Sequence, residues 1–296
     1  MATLREIRNH IVGVKSTQKI TSAMKMVAAA KLRRAQDNII SARPYATKMK
    51  ELLNNLVSKV DSDFNPLLKE RTANKVLLIV VTSDRGMCGA FNANILKKTI
   101  EIINGSYQEL NKNGNLELLC IGKKSIQFFS KRNYRIFKSY PNIFGRLSFS
   151  IAEEISGAVI DAFLSGKFDK IEVVFNEFKS VIQQTVISEQ FLPLKKIEDD
   201  KKDKHIKSQI DFIYEPTPKA IIDEIIPKHL NTQIWRILLE SNAAEEGARM
   251  TAMDNANENA KEMISDLNLQ FNKARQASIT TEILEIISGA NALQEA

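Results

Sequence analysis

Apolar residues at the start of the chain recur at alternating steps of three and four, the spacing of a coiled-coil seam. Three polar seam positions, Gln18, Thr21 and Lys25, follow one another, and apolar character passes there to Ile20, Met24 and Val27. We therefore expect a long N-terminal helix whose seam changes register, or meets a different partner, near Lys25. The thirteen apolar positions are Leu4, Ile7, Ile11, Val14, Ala28, Leu32, Ala35, Ile39, Ala42, Ala46, Met49, Leu53 and Leu56.

A second helical stripe, made mostly of alanine, runs through the C-terminal part of the chain. It follows the turn-rich YEPTP, Pro227 suits a first helical turn, and the pattern continues to Ser288. Small residues allow helices to approach closely, so we expect the two terminal helices to pair antiparallel. The alternative is that each packs on its own globular domain. At 1.5 Å per residue they span ~80 and ~90 Å, which the rest of the chain could not cover. The stripe comprises Leu230, Ile234, Ile237, Ala244, Ala248, Ala252, Ala256, Ala260, Met263, Leu267, Ala274 and Leu284.

Strand and helix patterns alternate between these helices. Buried-strand patterns occur at 75–82 and 116–122, and further strand patterns at 134–137 and 170–178. Helical patterns lie between them, and 184–194 could add an edge strand. This order predicts a parallel sheet with right-handed crossovers. The fold class is thus α/β: a long antiparallel coiled coil with an inserted Rossmann-like domain. We expect domains at 1–58, 75–215 with a polar loop at 195–208, and 219–296.

The two helices differ in length, and the excess is apolar. If Val57 is level with Lys228, Leu4 is level with residue 281, and the chain after Thr281 extends beyond its partner. Ile283, Leu284, Ile286 and Ile287 then point to most sides of the helix, so no single neighbour could cover them. Exposed in water such an end would aggregate, so we expect a sleeve made by other subunits.

Charge is divided between the two ends. Residues 1–58 hold 11 Lys or Arg against 3 Asp or Glu, whereas residues 219–296 hold 7 against 12. Opposite charge favours pairing of the ends and leaves the first helix able to attract acidic partners. A basic coiled-coil nucleic-acid binder is an alternative, but a basic zipper separates its basic region from its heptads, and here they overlap.

Little in the chain indicates catalysis. The turn from Thr82 to Gly89 follows a strand, where α/β sheets bind phosphates, but it is neither a P-loop nor GxGxxG. A stand-alone enzyme using Asp84 to Cys88 is therefore a weak alternative. Two cysteines and three scattered histidines make a metal site improbable. We expect no signal peptide, no membrane span and an intracellular protein.

Five stretches, in order, resemble the gamma-subunit family of F-type ATP synthases over essentially the whole length. They are STQKITSAMKMVAAAKLRRAQ, TSDRGMCGAFN, YEPTP, ESNAAEEGARMTAMDNA and NKARQASITTEILEIISGA. The resemblance implies a non-catalytic shaft without cofactor, rotating in a ring of alpha and beta subunits. Its α/β foot would meet the epsilon subunit and the c-ring at the cytoplasmic face of a bacterial membrane. Rotation driven by proton flow would cycle the catalytic sites on beta. Ala90 replaces a second glycine of many relatives, and the plastid cysteine insertion is absent.

The resemblance also assigns contact residues. It implies contact with alpha and beta at the upper shaft and at an acidic loop of beta, and contact with epsilon and the c-ring at the foot. The shaft residues are Arg275, Gln276, Thr280, Glu282, Ile283, Leu284 and Ile287, with Arg249 lower on the same helix; Met24 and the basic Lys19, Lys25 and Lys31 face the acidic loop; Tyr214 and Glu215 belong to the foot.

Overall fold

The computed structural model describes residues 3–57, 65–180, 184–194 and 217–294. The chain divides into two compact units. The first, here called the helical unit, comprises Met1–Ala29 and Arg249–Ala296, and the second, the sheet unit, comprises Ala30–Ala248. Each unit contains part of both terminal helices, α1 (Leu4–Val57) and α6 (Pro218–Gln294).

In the helical unit α1 and α6 pack antiparallel. Ile7 and Ile11 of α1 form a buried cluster with Leu267 of α6. Further along α1, Lys25 forms a salt bridge with Asp254, so increasing numbers on one helix meet decreasing numbers on the other. This confirms the expected antiparallel pair.

The sheet unit contains a five-stranded sheet in the order β3-β2-β1-β4-β5. β1 to β4 are parallel, and β5 pairs antiparallel with β4. This order, with strands separated by helices, is that of a Rossmann-like sheet, as expected. The elements are β1 (Val76–Val81), α2 (Phe91–Gly105), α3 (Gln108–Lys112), β2 (Leu116–Ile121), α4 (Lys123–Ser130), β3 (Ile136–Tyr140), α5 (Phe149–Leu164), β4 (Lys170–Phe178) and β5 (Gln184–Leu192).

Both faces of the sheet are covered, which explains the continuous apolar strands. Leu77, Ile79 and Val81 face a core shared with α5 and with α1 and α6 residues of the same unit. The alternate residues Val76, Leu78 and Val80 face a second core formed with α2 and α4. All six β1 residues are fully buried.

The α1 seam follows the predicted spacing without a break. Every position from Leu4 to Leu53 on the three-and-four pattern is buried or half-buried, including Gln18, Thr21 and Lys25. The predicted change of register is therefore wrong. Thr21 can be buried at the seam because its Oγ1 donates a hydrogen bond to the Gln18 carbonyl oxygen at 3.0 Å, so the hydroxyl is not left without a partner. Lys25 remains at the seam because its stem packs there while its ammonium reaches Asp254.

The expected alignment of the two helices also needs correction. Lys25 is level with Asp254, so Leu4, about six turns earlier, is level with Arg275 rather than with residue 281. The unpaired end is therefore longer than expected. On the α6 stripe, Met263 is 48 % exposed, contrary to the prediction.

Two element limits differ from those predicted. Pro227 lies inside α6, which begins nine residues earlier at Pro218. Ile222 and Ile226 are fully buried in the sheet-unit core, and their packing stabilises these extra turns. The strand expected at 134–137 is observed at Ile136–Tyr140.

Candidate partner-binding surfaces

Apolar residues point outward from the first part of α1. Val12, Ile20, Met26 and Val27 are between 56 and 65 % exposed, while Thr21 and Lys25 occupy the seam beside them. The usual amphipathic arrangement of a surface helix is therefore partly inverted here. Exposed apolar residues on one side of a helix are typical of surfaces that contact other proteins.

The last part of α6 is exposed on every side. From Ile279 to Asn291 every residue is exposed, including Ile279, Ile283, Leu284, Ile286 and Ile287 at 48 to 71 %. At about 100° per residue these five side chains cover roughly 160° of the helix circumference. This corrects the expectation that they point to most sides. One broad side of this stretch is apolar and the opposite side is polar. A partner that covers half of the helix would therefore bury all five apolar side chains.

The turn after β1 is used for internal structure. Asp84 accepts backbone hydrogen bonds from Lys123 and Asn142 at Oδ1 (3.0 and 2.7 Å) and from Phe144 at Oδ2 (3.2 Å). Ser83 and Cys88 are tied to Asn92, whose Nδ2 lies 2.8 Å from Ser83 Oγ. These side chains are therefore bonded within the chain itself, and Asp84 joins the turn after β1 to the segments that follow β2 and β3.

The same edge of the sheet contains a close backbone approach. Gly122 has φ +90°, and a Cβ there would lie 2.0 Å from the Thr82 carbonyl oxygen. Thr82 Oγ1 in turn donates to the Ile121 carbonyl and accepts from the Ser125 amide. Beside it, burial raises the pKa of Cys120 to about 12, a shift that a hydrogen bond with Ser125 partly opposes. This thiol is therefore protonated and unreactive at neutral pH.

The predicted contact residues fall into groups. The exposed end of α6 carries Arg275, Gln276, Thr280, Glu282, Ile283, Leu284 and Ile287 together. Met24 and Lys25 are half-buried on α1, Lys19 is exposed, and Lys31 lies 3.5 Å from Glu246 within the sheet unit. Arg249 is only 8 % exposed. Tyr214, Glu215 and the polar loop at 195–208 lie outside the described residues.

Some surface residues escaped the sequence prediction. Ile279 extends the apolar end by one turn, and Asp254 holds the ammonium of Lys25. Ile279 could have been assigned to the apolar end because it lies four residues, about one helical turn, before Ile283. No local sequence pattern indicates that Asp254 pairs with Lys25. No helix within the described part of the chain has a stretch long and apolar enough to cross a membrane.

Comparison with known proteins gives the family. A family model described as ATP synthase matches residues 3–293. The ATP synthase gamma chain of Chloroherpeton thalassium is 54 % identical, covering 100 % of this chain and 99 % of its own length. The gamma chain of Chlorobaculum tepidum is 53 % identical over all of both chains. The chain belongs to the ATP synthase gamma chain family. The resemblance inferred from the five sequence stretches is thus confirmed, and these relatives are bacterial.

Solved structures agree on the fold. A chain of the Euglena gracilis mitochondrial ATP synthase, in an OSCP/F1/c-ring structure, superposes with a TM-score of 0.68 at 20 % identity. The match covers 98 % of this chain and 94 % of that one. A chain of the central stalk and c-ring structure from Tetrahymena thermophila gives 0.60 at 23 % identity, covering 80 % of this chain and 99 % of that one. At these identities the likeness shows that the fold is shared.

Proposed function

We propose that this gamma chain is the central-stalk rotor subunit of an F-type ATP synthase. It turns within alternating alpha and beta subunits and couples proton flow across the membrane to ATP synthesis or hydrolysis on beta. It has no catalytic role of its own, and its position regulates the ATPase activity of the complex. Membership of the gamma chain family supports a place in this complex. Its structural neighbours come from a central-stalk and c-ring structure and from a rotor structure, and they support the position in the central stalk.

The observation that carries the proposal is the uncovered apolar end of α6. Thirteen consecutive residues, from Ile279 to Asn291, are exposed, and one side of this stretch is apolar. A soluble monomer rarely leaves such a surface in water. A sleeve of alpha and beta subunits would bury it without demanding hydrogen bonds, and apolar contact would leave the helix able to turn.

Torque in this proposal passes through shape. A helix pair with one apolar side presents a different surface to each beta subunit and biases each toward a different conformation. The outward Ile20 and Val27, with the nearby basic residues, form the flank that meets an acidic loop of beta. The proposed alpha and beta contacts are Met24, Lys25, Arg249, Arg275, Gln276, Thr280, Glu282, Ile283, Leu284 and Ile287, and the proposed epsilon and c-ring contacts are Tyr214 and Glu215.

The proposed location is the cytoplasmic face of the bacterial plasma membrane. The chain is held there as a peripheral protein through epsilon and the c-ring.

Truncation tests the role. Deleting residues 283–296 removes much of the apolar end, and we expect weaker assembly with alpha and beta and reduced proton-driven ATP synthesis in membrane vesicles. Thermal unfolding of the purified chain should change little, because the deleted residues described by the structure, up to Asn291, are all exposed. A matched control deletes only residues 292–296. Full ATP synthesis by the longer truncation would contradict the proposal.

A further inference from the structure

Basic residues gather at the end of the sheet where its four parallel strands begin. The segments that lead into these strands are 69–75 for β1, 112–115 for β2, 131–135 for β3 and 165–170 for β4, and together they form what we call the amino-end surface. They hold nine Lys or Arg against two Asp or Glu. Backbone hydrogen bonds keep neighbouring segments together, with the amides of Leu118, Val76 and Asp169 donating to the carbonyls of Arg135, Asn115 and Lys75.

Nearby carboxylates neutralise only part of this charge. Lys167 and Lys170 pair with carboxylates of β2 and β4 at 3.1 and 2.7 Å. Asp169 accepts the backbone amides of residues 74 and 75 at 3.1 and 2.9 Å, and Glu70 is exposed. Among the residues that the structure describes, six cations of this surface form no ion pair: Arg71, Lys75, Lys112, Lys131, Arg132 and Arg135.

Two of the unpaired arginines are held in place by the chain. Arg135 Nη1 donates to the Gly114 carbonyl at 2.8 Å. Gly114 has φ +72°, and a Cβ there would lie 2.7 Å from the guanidinium carbon of Arg135, so the glycine leaves room for this group. The guanidinium of Arg132 lies 3.7 Å from the centroid of the Phe128 ring and donates to the Phe128 carbonyl at 3.3 Å. Each guanidinium keeps its remaining N–H donors, and it loses little freedom when it binds an anion because it is already ordered.

An apolar side chain is exposed at the same end of the sheet. Leu164, the last residue of α5, is 47 % exposed. Its neighbour Phe163 accepts a hydrogen bond from Arg71 Nη1 at 3.3 Å, which places an unpaired cation beside it. Guanidinium groups bind phosphate oxygens through pairs of hydrogen bonds. A bilayer offers phosphates with hydrocarbon just beneath them, whereas a free phosphate ion offers no apolar partner for the leucine.

The start of α6 lies at this end of the sheet unit. Asn65, which precedes the 69–75 segment, donates through Nδ2 to Asp223 near the start of α6 at 2.8 Å. The helix begins at Pro218, three residues after Glu215, a proposed contact of epsilon and the c-ring. In the proposed rotor the amino-end surface is therefore on the side of the sheet unit that faces the membrane. Only this orientation rests on the proposed function, whereas the charge of the surface does not.

We propose that the amino-end surface docks on the headgroups of anionic phospholipids. Arg132 and Arg135 bind phosphate oxygens, and Leu164 enters the boundary between headgroups and hydrocarbon. The other unpaired cations add attraction to the negative surface of the bilayer. Because most of this attraction is between exposed charges, salt weakens it and the contact is reversible.

Vesicle binding by the full chain tests the proposal. The chain is mixed with phosphatidylcholine vesicles with or without phosphatidylglycerol, and the bound fraction is measured by co-sedimentation. Neutral vesicles measure adsorption through the apolar end of α6, which needs no charge. We expect binding to anionic vesicles to exceed this background and to fall steeply as the salt concentration rises.

Two triple variants remove the same charge from different places. Each basic residue near an anionic bilayer contributes ~1 kcal/mol, so removing three from the amino-end surface should lower the affinity for anionic vesicles by about a hundredfold. Removing three exposed charges from the start of α1, in the helical unit, should lower it by no more than about threefold. The first variant is Lys131→Gln, Arg132→Gln and Arg135→Gln, and the control is Arg5→Gln, Arg8→Gln and Lys15→Gln.

A third variant separates a bilayer from other polyanions. Leu164→Ala should lower the affinity for anionic vesicles by about fivefold, because partial burial of the leucine side chain contributes ~1 kcal/mol. Its affinity for heparin and for duplex DNA should equal that of the unaltered chain. An unchanged vesicle affinity in this variant, or tighter binding to DNA than to anionic vesicles at the same salt concentration, would overturn the proposal.

Two further results would also overturn it: equal binding to neutral and anionic vesicles, and equal loss in the two triple variants. Incorporation of the Lys131, Arg132 and Arg135 variant into assemblies with alpha and beta is measured in parallel and should match that of the wild type. A chain that assembles normally and binds no anionic vesicles would therefore refute the lipid contact and leave the rotor proposal standing.

Discussion

The apolar face at the end of α6 can be tested without changing the length of the helix. We consider the quadruple substitution of Ile279, Ile283, Ile286 and Ile287 by alanine. Alanine is the better helix former, and all four side chains are exposed, so the purified chain should unfold at the same temperature or slightly higher.

The effect on assembly follows from the exposed fractions. Fully burying an isoleucine contributes about 1.5 to 3 kcal/mol, and these four residues are 48 to 71 % exposed before any partner binds. Replacing each by alanine therefore removes about 1 kcal/mol of burial in a partner sleeve. The four together amount to about 4 kcal/mol, or roughly a thousandfold in affinity. This is an upper limit, because a partner that leaves part of the face uncovered gains less.

Competition measures this ratio even when binding is very tight. Wild-type and variant chains carrying different tags are mixed with a limiting amount of alpha and beta subunits, and incorporation of each is counted. We expect the variant to be almost excluded. The control replaces Thr281, Glu285 and Ser288 by alanine on the opposite side of the helix, and it should be incorporated nearly as well as the wild type. Equal incorporation of the isoleucine variant, or equal loss in both variants, would refute the burial argument.

Two further predictions concern the sheet unit. Gly122→Ala should destabilise the folded chain by at least about 2 kcal/mol, because this residue has a positive φ and an added Cβ would clash with the Thr82 carbonyl oxygen. Gly157→Ala, in α5 where an added Cβ meets no atom within 4 Å, should stabilise it by ~0.5 to 1 kcal/mol. Equal midpoints of urea unfolding for the two variants would contradict this. Burial raises the pKa of Cys120 to about 12, whereas the thiol of the unfolded chain ionises near pH 9. The buried thiol therefore stabilises the fold fully below about pH 9, and this contribution is lost as the pH rises toward 12. Relative to Cys120→Ala, stability should then fall by about 1.4 kcal/mol per pH unit, and a constant difference between pH 8 and 11 would refute it.

Local spacing predicted most of the architecture. The three-and-four pattern identified the apolar seam positions of α1 from Leu4 to Leu53, because a helix with a buried stripe repeats its apolar residues locally. The strand at 170–178 was correctly bounded, since Ile171, Val173 and Phe175 alternate with other residues along it and lie in one core. The apolar end of α6 was also visible in the sequence, because its residues follow one another closely along the chain.

What could not be predicted depends on distant partners. Thr21 and Lys25 suggested a change of register, but a hydroxyl bond to Gln18 and the position of Asp254 allow both to stay at the seam. Pro227 suggested a helix start, yet buried isoleucines before it extend α6. A cavity beside Glu240 is formed by segments of α1, β4, β5 and α6 that are far apart in the sequence, so no local pattern indicates it.

The polar stretch of the seam has a consequence for protein engineering. A redesign for maximum stability of the isolated chain would replace Thr21 and Lys25 by apolar residues and make Ile20 and Val27 hydrophilic. Such a chain would melt at a higher temperature and would lose the apolar side that it presents outward. Thermal stability of the purified subunit is therefore a misleading objective for selecting variants, because natural sequences of this kind are optimised for the assembled state.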